Sequence, residues 1–235
     1  MILGIMLAGG ASLAVAQEGT PETGESFPVN VTFLNAMTSL DAVDVYINGD
    51  EEDQRVVEGL EYGTTSEVFE GTAPATIVVI KQNVNLGFDR YLFDTVVPTQ
   101  AGQNYLIVIS DLLIIPTQLD PSGADRTSAH AQAVHAAAQA PAVDVYVTEA
   151  GTDFAIGDVV PIVTDMGYGF AGTGGAMPAG SYDVRLTQTG TDTVALEQDG
   201  VTVEAGKIYT FVLIGKPGST EQPLTLVSVE ADVPE

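Results

Sequence analysis

Four carboxylates stand in a row at Asp50-Glu51-Glu52-Asp53. Hard cations are held by clustered carboxylates and loop carbonyls, so this run is the candidate calcium site. Its spacing is not the Asp-x-Asp-x-Asp-Gly of an EF-hand loop, and a solvated charge run at a hairpin tip reads the same way. Calcium is the one cofactor the sequence admits. Histidine occurs only at His130 and His135. A zinc site needs about three protein ligands, and strand positions five apart fall on opposite faces. The pair therefore reads as strand-end histidines hydrogen-bonded to turns. With so little histidine and no Gly-x-Ser-x-Gly elbow, Ser-His-Asp hydrolysis lacks its parts. Gly167-Tyr168-Gly169-Phe170-Ala171-Gly172 has the letters of a dinucleotide fingerprint. That fingerprint needs a helix behind it, and Thr173-Gly174-Gly175-Ala176 before Pro178 starts none. A flexible glycine-rich connection is expected there instead. Paired carboxylates for glycoside cleavage are available among 32 acidic residues. The chain has no Trp for a sugar platform, which leaves Tyr46, Tyr146 and Tyr168 as stacking residues. No catalytic residue is assigned.

These residues must be carried by strands. Ala42-Val43-Asp44-Val45-Tyr46 returns as Ala142-Val143-Asp144-Val145-Tyr146, 100 positions later. Valines alternate with Asp and Tyr, the period-2 pattern of a half-buried strand. Asp44, Tyr46, Asp144 and Tyr146 are expected to face outward and form a binding face, with cross-strand pairing within the sheet as the competing reading. Ala101-Gly102-Gln103-Asn104-Tyr105 also returns, as Ala205-Gly206-Lys207-Ile208-Tyr209, at an offset of 104. The chain is an internal duplication with a domain-sized period. In the first copy, short strands are expected at Val29–Leu34, Ala42–Asn48, Val56–Leu60, Ser66–Phe69, Thr76–Lys81, Tyr91–Val97, Tyr105–Ser110 and Leu112–Ile115. In the second they are expected at Ala142–Thr148, Val159–Val163, Tyr168–Ala171, Tyr182–Thr187, Val194–Leu196, Val201–Val203, Ile208–Ile214 and Leu224–Val229. Turn residues separate them. Ser128 to Ala140 holds seven alanines and has helical propensity. It occupies the place of Val29–Leu34, so a strand is expected, at the cost of a thinner core in the second copy.

Composition bounds the rest. The chain has 235 residues, a net charge of −25, only seven Lys and Arg, and no Cys. Such a surface repels nucleic acid and anionic lipid, attracts cations and suits a salty medium. Residues 1–16 resemble a secretory signal peptide ending Ala14-Val15-Ala16, though no Lys or Arg precedes the apolar run. After its removal no membrane insertion is expected. Residues 17–26 are Gly, Pro, Thr and Glu-rich and read as a disordered N-terminus. A first domain is expected over 27–119, a linker over 120–127 and a second domain over 128–232.

His135, then Pro141 to Tyr146, Pro178-Ala179-Gly180, and Ala205 to Tyr209 together resemble a family of secreted bacterial β-domains, the domain of unknown function 4397. The resemblance spans Arg126 to Glu230. The first copy departs from it, with Asn35 in place of His135 and Leu40-Asp41 in place of Ala140-Pro141. The resemblance implies an extracellular or cell-envelope location and no known catalytic residues. It makes His135 a further candidate for the binding face. The fold expected is all-β, two tandem immunoglobulin-like antiparallel β-sandwiches. The function expected is a non-enzymatic secreted or envelope-associated interaction or structural module, with an envelope protein or polysaccharide as partner. The alternative is a carbohydrate- or calcium-binding accessory module.

Overall fold

The computed structural model describes residues 26–84, 88–152 and 155–233. The expected signal peptide, and the N-terminal segment as far as residue 25, lie outside the described residues. The first copy contains β1 (Phe27–Asn35), β2 (Ala42–Ile47), β3 (Arg55–Glu61), β4 (Phe69–Ala73), β5 (Ala75–Val84), β6 (Phe88–Pro98), β7 (Asn104–Ile109) and β8 (Ile114–Gln118). The second contains β9 (Ser128–His135), β10 (Val143–Glu149), β11 (Val163–Met166), β12 (Ala171–Pro178), β13 (Gly180–Gln188), β14 (Val194–Val203), β15 (Lys207–Ile214) and β16 (Thr225–Asp232). Each copy folds into two four-stranded sheets. Their orders are β4-β1-β7-β8 and β3-β2-β5-β6 in the first, β12-β9-β15-β16 and β11-β10-β13-β14 in the second.

The expected all-β pair of sandwiches is what the chain forms. Within it the strand order is distinctive. A constant-type immunoglobulin domain sets ABED against CFG, whereas here the first strand lies in the middle of its sheet, parallel to the seventh. That parallel pairing gives the duplication its three-dimensional register. Asn30 and Val31 lie beside Asn104 and Tyr105, while His130 and Ala131 lie beside Ile208 and Tyr209. The sequence offsets of 100 and 104 are thus the offsets of superposable positions.

The alanine run is a strand from Ser128 to His135, held on one side by β15 and on the other by β12. Two sets of ladder hydrogen bonds override its helical propensity. The glycine-rich stretch is not a flexible connection. Gly167 to Phe170 form a tight turn, and Ala171–Pro178 is the edge strand β12, with a bulge between Thr173 and Gly175. A Cβ on Gly174 would sit 1.9 Å from the Ala131 carbonyl oxygen, so only glycine fits that approach. The stretches expected as strands at Val194–Leu196 and Val201–Val203 are one strand, β14. Those expected at Ser66–Phe69, Leu112–Ile115, Val159–Val163 and Tyr168–Ala171 begin further along the chain.

Three apolar layers hold the molecule together. One fills the first sandwich, between Val31, Phe33 and Ile107 on one sheet and Val43, Val45 and Ile80 on the other. One fills the second, around Val143, Val145, Leu186 and Leu213. The third lies between the copies: Leu34, Leu106 and Val108 of the first pack against Val134, Ile208 and Val212 of the second. This explains the unbroken apolar run of β7, where Tyr105, Ile107 and Ile109 face their own sandwich and Leu106 and Val108 face the other copy. The result is four stacked sheets with an apolar seam at the middle. The seam draws on equivalent residues of both copies, Leu34 and Val134 as well as Val108 and Val212, so the same face of each is buried in it.

The recurring Ala-Gly-x-x-Tyr turn has a physical cause. Gly102 and Gly206 take φ values of 71° and 76°, which favour glycine. The tyrosine that follows folds back, and its hydroxyl accepts the N–H of Gln100 at 3.0 Å in one copy and of Glu204 at 3.1 Å in the other. Tyr209→Phe should leave the Glu204 N–H without that acceptor and cost about 1–2 kcal/mol in urea unfolding.

Candidate functional site

The repeated aspartate turns inward. Asp44 and Asp144, expected to face outward, are buried, and each serves a bulge in the neighbouring strand. In the first copy the β2–β3 register shifts between Val43 and Val45, and Gly59, at φ 66°, donates its N–H to Asp44 Oδ1 at 2.7 Å. In the second the shift recurs between Val143 and Val145, and Asp165, at φ 54°, donates to Asp144 Oδ1 at 2.9 Å. The Asp144 carboxylate also accepts from the Thr189 hydroxyl and the Gly190 N–H. The backbone hydrogen bond from Asp165 holds this carboxyl below its ordinary range against the opposing effect of burial, with help from Gly190 and Thr189. A left-handed conformation at Asp165 carries a cost that glycine avoids. Asp165→Gly should therefore raise stability by up to about 1 kcal/mol in urea unfolding.

Tyr46 and Tyr146 are buried too. Lys81 lies 4.3 Å from the Tyr46 ring centroid and 4.7 Å from that of Tyr91, so the ammonium sits against two aromatic faces. Its Nζ donates to the Asp50 carbonyl at 2.8 Å. Tyr146 lies directly opposite Arg185 in the β10–β13 ladder. Both rings are buried, Tyr46 beneath the Lys81 ammonium and Tyr146 opposite Arg185, which fits the cross-strand reading better than an outward face.

The acidic run does not gather round one point. Asp50 faces Lys81 and Tyr91, while Glu52 reaches Arg55 at 2.5 Å. Glu52, Asp53 and Gln54 form a single 3-10 turn that fans the side chains apart. Among the described residues no group of three or more His, Asp or Glu is placed to hold a metal ion.

His135 is fully buried at the end of β9, where Asn35 ends β1. Its Nε2 lies 3.2 Å from the Pro141 carbonyl. Asn35 also secures its strand end, but through other partners: its amide donates to Leu60 O and accepts from Met37 N–H, each at 2.9 Å. Burial holds the His135 pKa below its usual value despite the Pro141 hydrogen bond, so the ring is neutral at pH 7. Expected as a further binding-face candidate, His135 presents no surface of its own. The fingerprint-like glycines form the turn into β12, with Gly169 at φ 84° and no helix after it. Tyr168 within that turn crosses the seam, with its hydroxyl 2.7 Å from Ser110 Oγ and accepting the Leu112 N–H.

Two comparable strand-end ties, two bulges capped by aspartate and two folded-back tyrosines describe one domain built twice. Residues 29–146 match the domain of unknown function DUF4397, and residues 129–235 match it again. The chain belongs to the DUF4397 family. No curated protein matches it significantly.

The two DUF4397 copies differ in how their cores are filled. Val31, Phe33 and Phe69 of the first have as counterparts Ala131, Ala133 and Gly175 in the second, by the strand register. Phe211 in place of Ile107 returns only part of that volume. A cavity of about 70 Å³ remains between the sheets of the second copy, lined by Ala131, Ala133, Val145, Val184, Phe170 and Phe211 among others. The thinner core expected from the alanines leaves this space, which opens toward the surface at Ile162. The signal that could have located it is the aligned loss of three large side chains at one level of the sandwich.

Proposed function

We propose that this DUF4397 pair is a non-catalytic module, secreted or held at the cell envelope, that contacts or organises other molecules. The observation that carries this reading is the apolar seam. It joins two sandwiches into one body whose loops and outer sheets are presented in a fixed relation. The groups a hydrolase would recruit serve the scaffold instead: Asp144 caps a bulge and neutral His135 ties a strand end. The net charge of −25 supports a role in a saline exterior and disfavours nucleic acid as partner. A calcium- or carbohydrate-binding role draws less support, because Asp50 and Glu52 are paired with bases and Tyr46 and Tyr146 are buried.

The test combines localisation with turnover. The protein should fractionate with the envelope or the medium, bind envelope fragments saturably, and leave polysaccharide, ester and peptide substrates intact. Turnover abolished by one Asp or Glu substitution would overturn the reading. Charge repulsion should also be visible in the melt. The midpoint should rise by a few degrees between low salt and about 0.5 M sodium chloride, as screening shortens the Debye length. Calcium at matched ionic strength should give the same midpoint as sodium.

A further inference from the structure

We propose that the cavity inside the second sandwich binds the end of an aliphatic hydrocarbon chain, which enters between the edge strands β11 and β12. Its walls are almost wholly apolar: alanine and valine side chains, the rings of Phe170 and Phe211, Met177 and Leu226. Water in a buried site needs two to four polar partners, and these walls do not supply them. A space of this kind stays dry or takes a hydrocarbon. Size decides how much of a ligand enters. Pockets that take whole drug-sized ligands have roughly 300–1,000 Å³, and this one holds about 70 Å³. A chain end fits while the rest of the molecule stays outside.

The way in is built from the same region. β11 and β12 end their respective sheets on one side of the sandwich and do not pair with each other. Ile162 lines the cavity and is 64% exposed, so the apolar wall continues to the surface. Val160, two residues earlier, is 82% exposed. Gly172 lets Phe170 lie across the strand, since a Cβ there would come within 2.2 Å of the ring. In the first copy the corresponding level is closed by Val31, Phe33 and Phe69, which pack into the core. One copy is thus filled by its own side chains, and the other is open to a guest. The head group outside meets a chain of net charge −25, which favours a neutral or cationic head over a carboxylate.

The test is a methyl-labelled NMR titration of residues 17–235 with 1-butanol, 1-hexanol, 1-octanol and octylamine, with octanoate as the anionic arm. Saturable shifts should fall on Ala131, Ala133, Val145 and Val184 and not on the first copy's Val43 and Val45. Affinity should rise roughly fourfold per added methylene and level off once the cavity is full. Octylamine should bind better than octanoate. Ala133→Phe, which restores the first copy's side chain, should weaken 1-octanol at least tenfold. If that variant does not fold, Ala131→Val should weaken it at least threefold. Shifts spread equally over both copies, unchanged affinity in the filled variant, or no saturable shift up to the solubility limit of 1-octanol would overturn the proposal.

Discussion

Val108→Asp should break the molecule at its middle. Val108 is fully buried in the seam, against Val134, Ile208 and Val212 of the other copy. A carboxylate there has no cation to meet among the residues of that cluster. An uncompensated buried charge costs about 3–5 kcal/mol, a large part of the stability of any domain. Calorimetry of the parent should show one cooperative transition, because neither copy can unfold without exposing the other's face. The variant should melt in two steps, or lose its first transition entirely. Leu112→Asp is the control, since Leu112 is 69% exposed, and its midpoint should not move. The same face gives a second readout: residues 120–235 alone would expose Ile208 and Val212, and should self-associate in sedimentation. Two independent transitions in the parent would show that the seam does not couple the copies.

Asp144→Ala should be the most damaging loss of a single polar group. It strands the N–H groups of Asp165 and Gly190 and the Thr189 hydroxyl together. Hydrogen bonds to a charged acceptor contribute about 1.5–3 kcal/mol each before coupling, so a total near 3 kcal/mol is expected from urea unfolding. The pH dependence gives the sign. The folded carboxyl titrates below its ordinary 3.8. Its contribution is therefore present above about pH 4 and is lost as pH falls through the folded value. The gap between parent and variant should be constant at neutral pH and close in acid. Asp125, drawn down to about 2 by hydrogen bonds from Thr127 and then Ser128, loses its contribution in the same direction. Asp111 does likewise: burial alone would raise it, but hydrogen bonds from Ser39 and Thr38 bring it lower. A gap that widened in acid would contradict this account.

Much of the fold was legible because the chain states it twice. The Asp-Val-Tyr strand and the Ala-Gly-x-x-Tyr turn fix the duplication, and their offsets survive into the parallel strand register. That register carried the alanine run into a strand against its propensity. The direction of Asp44 and Tyr46 was not legible. Alternation says which face a side chain leaves from, but not what covers that face. A one-residue bulge at Gly59 or Asp165 draws the aspartate in, and a lysine ammonium lies over the tyrosine. Glycine composition misled at β12 because a glycine-rich strand, packed close against its neighbour, reads like a loop.

The nine residues between Gln118 and Ser128 have a consequence beyond connection. The seam buries the same face of each copy, the face that a pair of separate single copies would use to associate. On one chain that encounter is intramolecular, at an effective concentration on the order of millimolar for a short tether. Dilution, which dissociates a dimer of separate chains, cannot part these copies, so the four-sheet body is independent of how little protein is present.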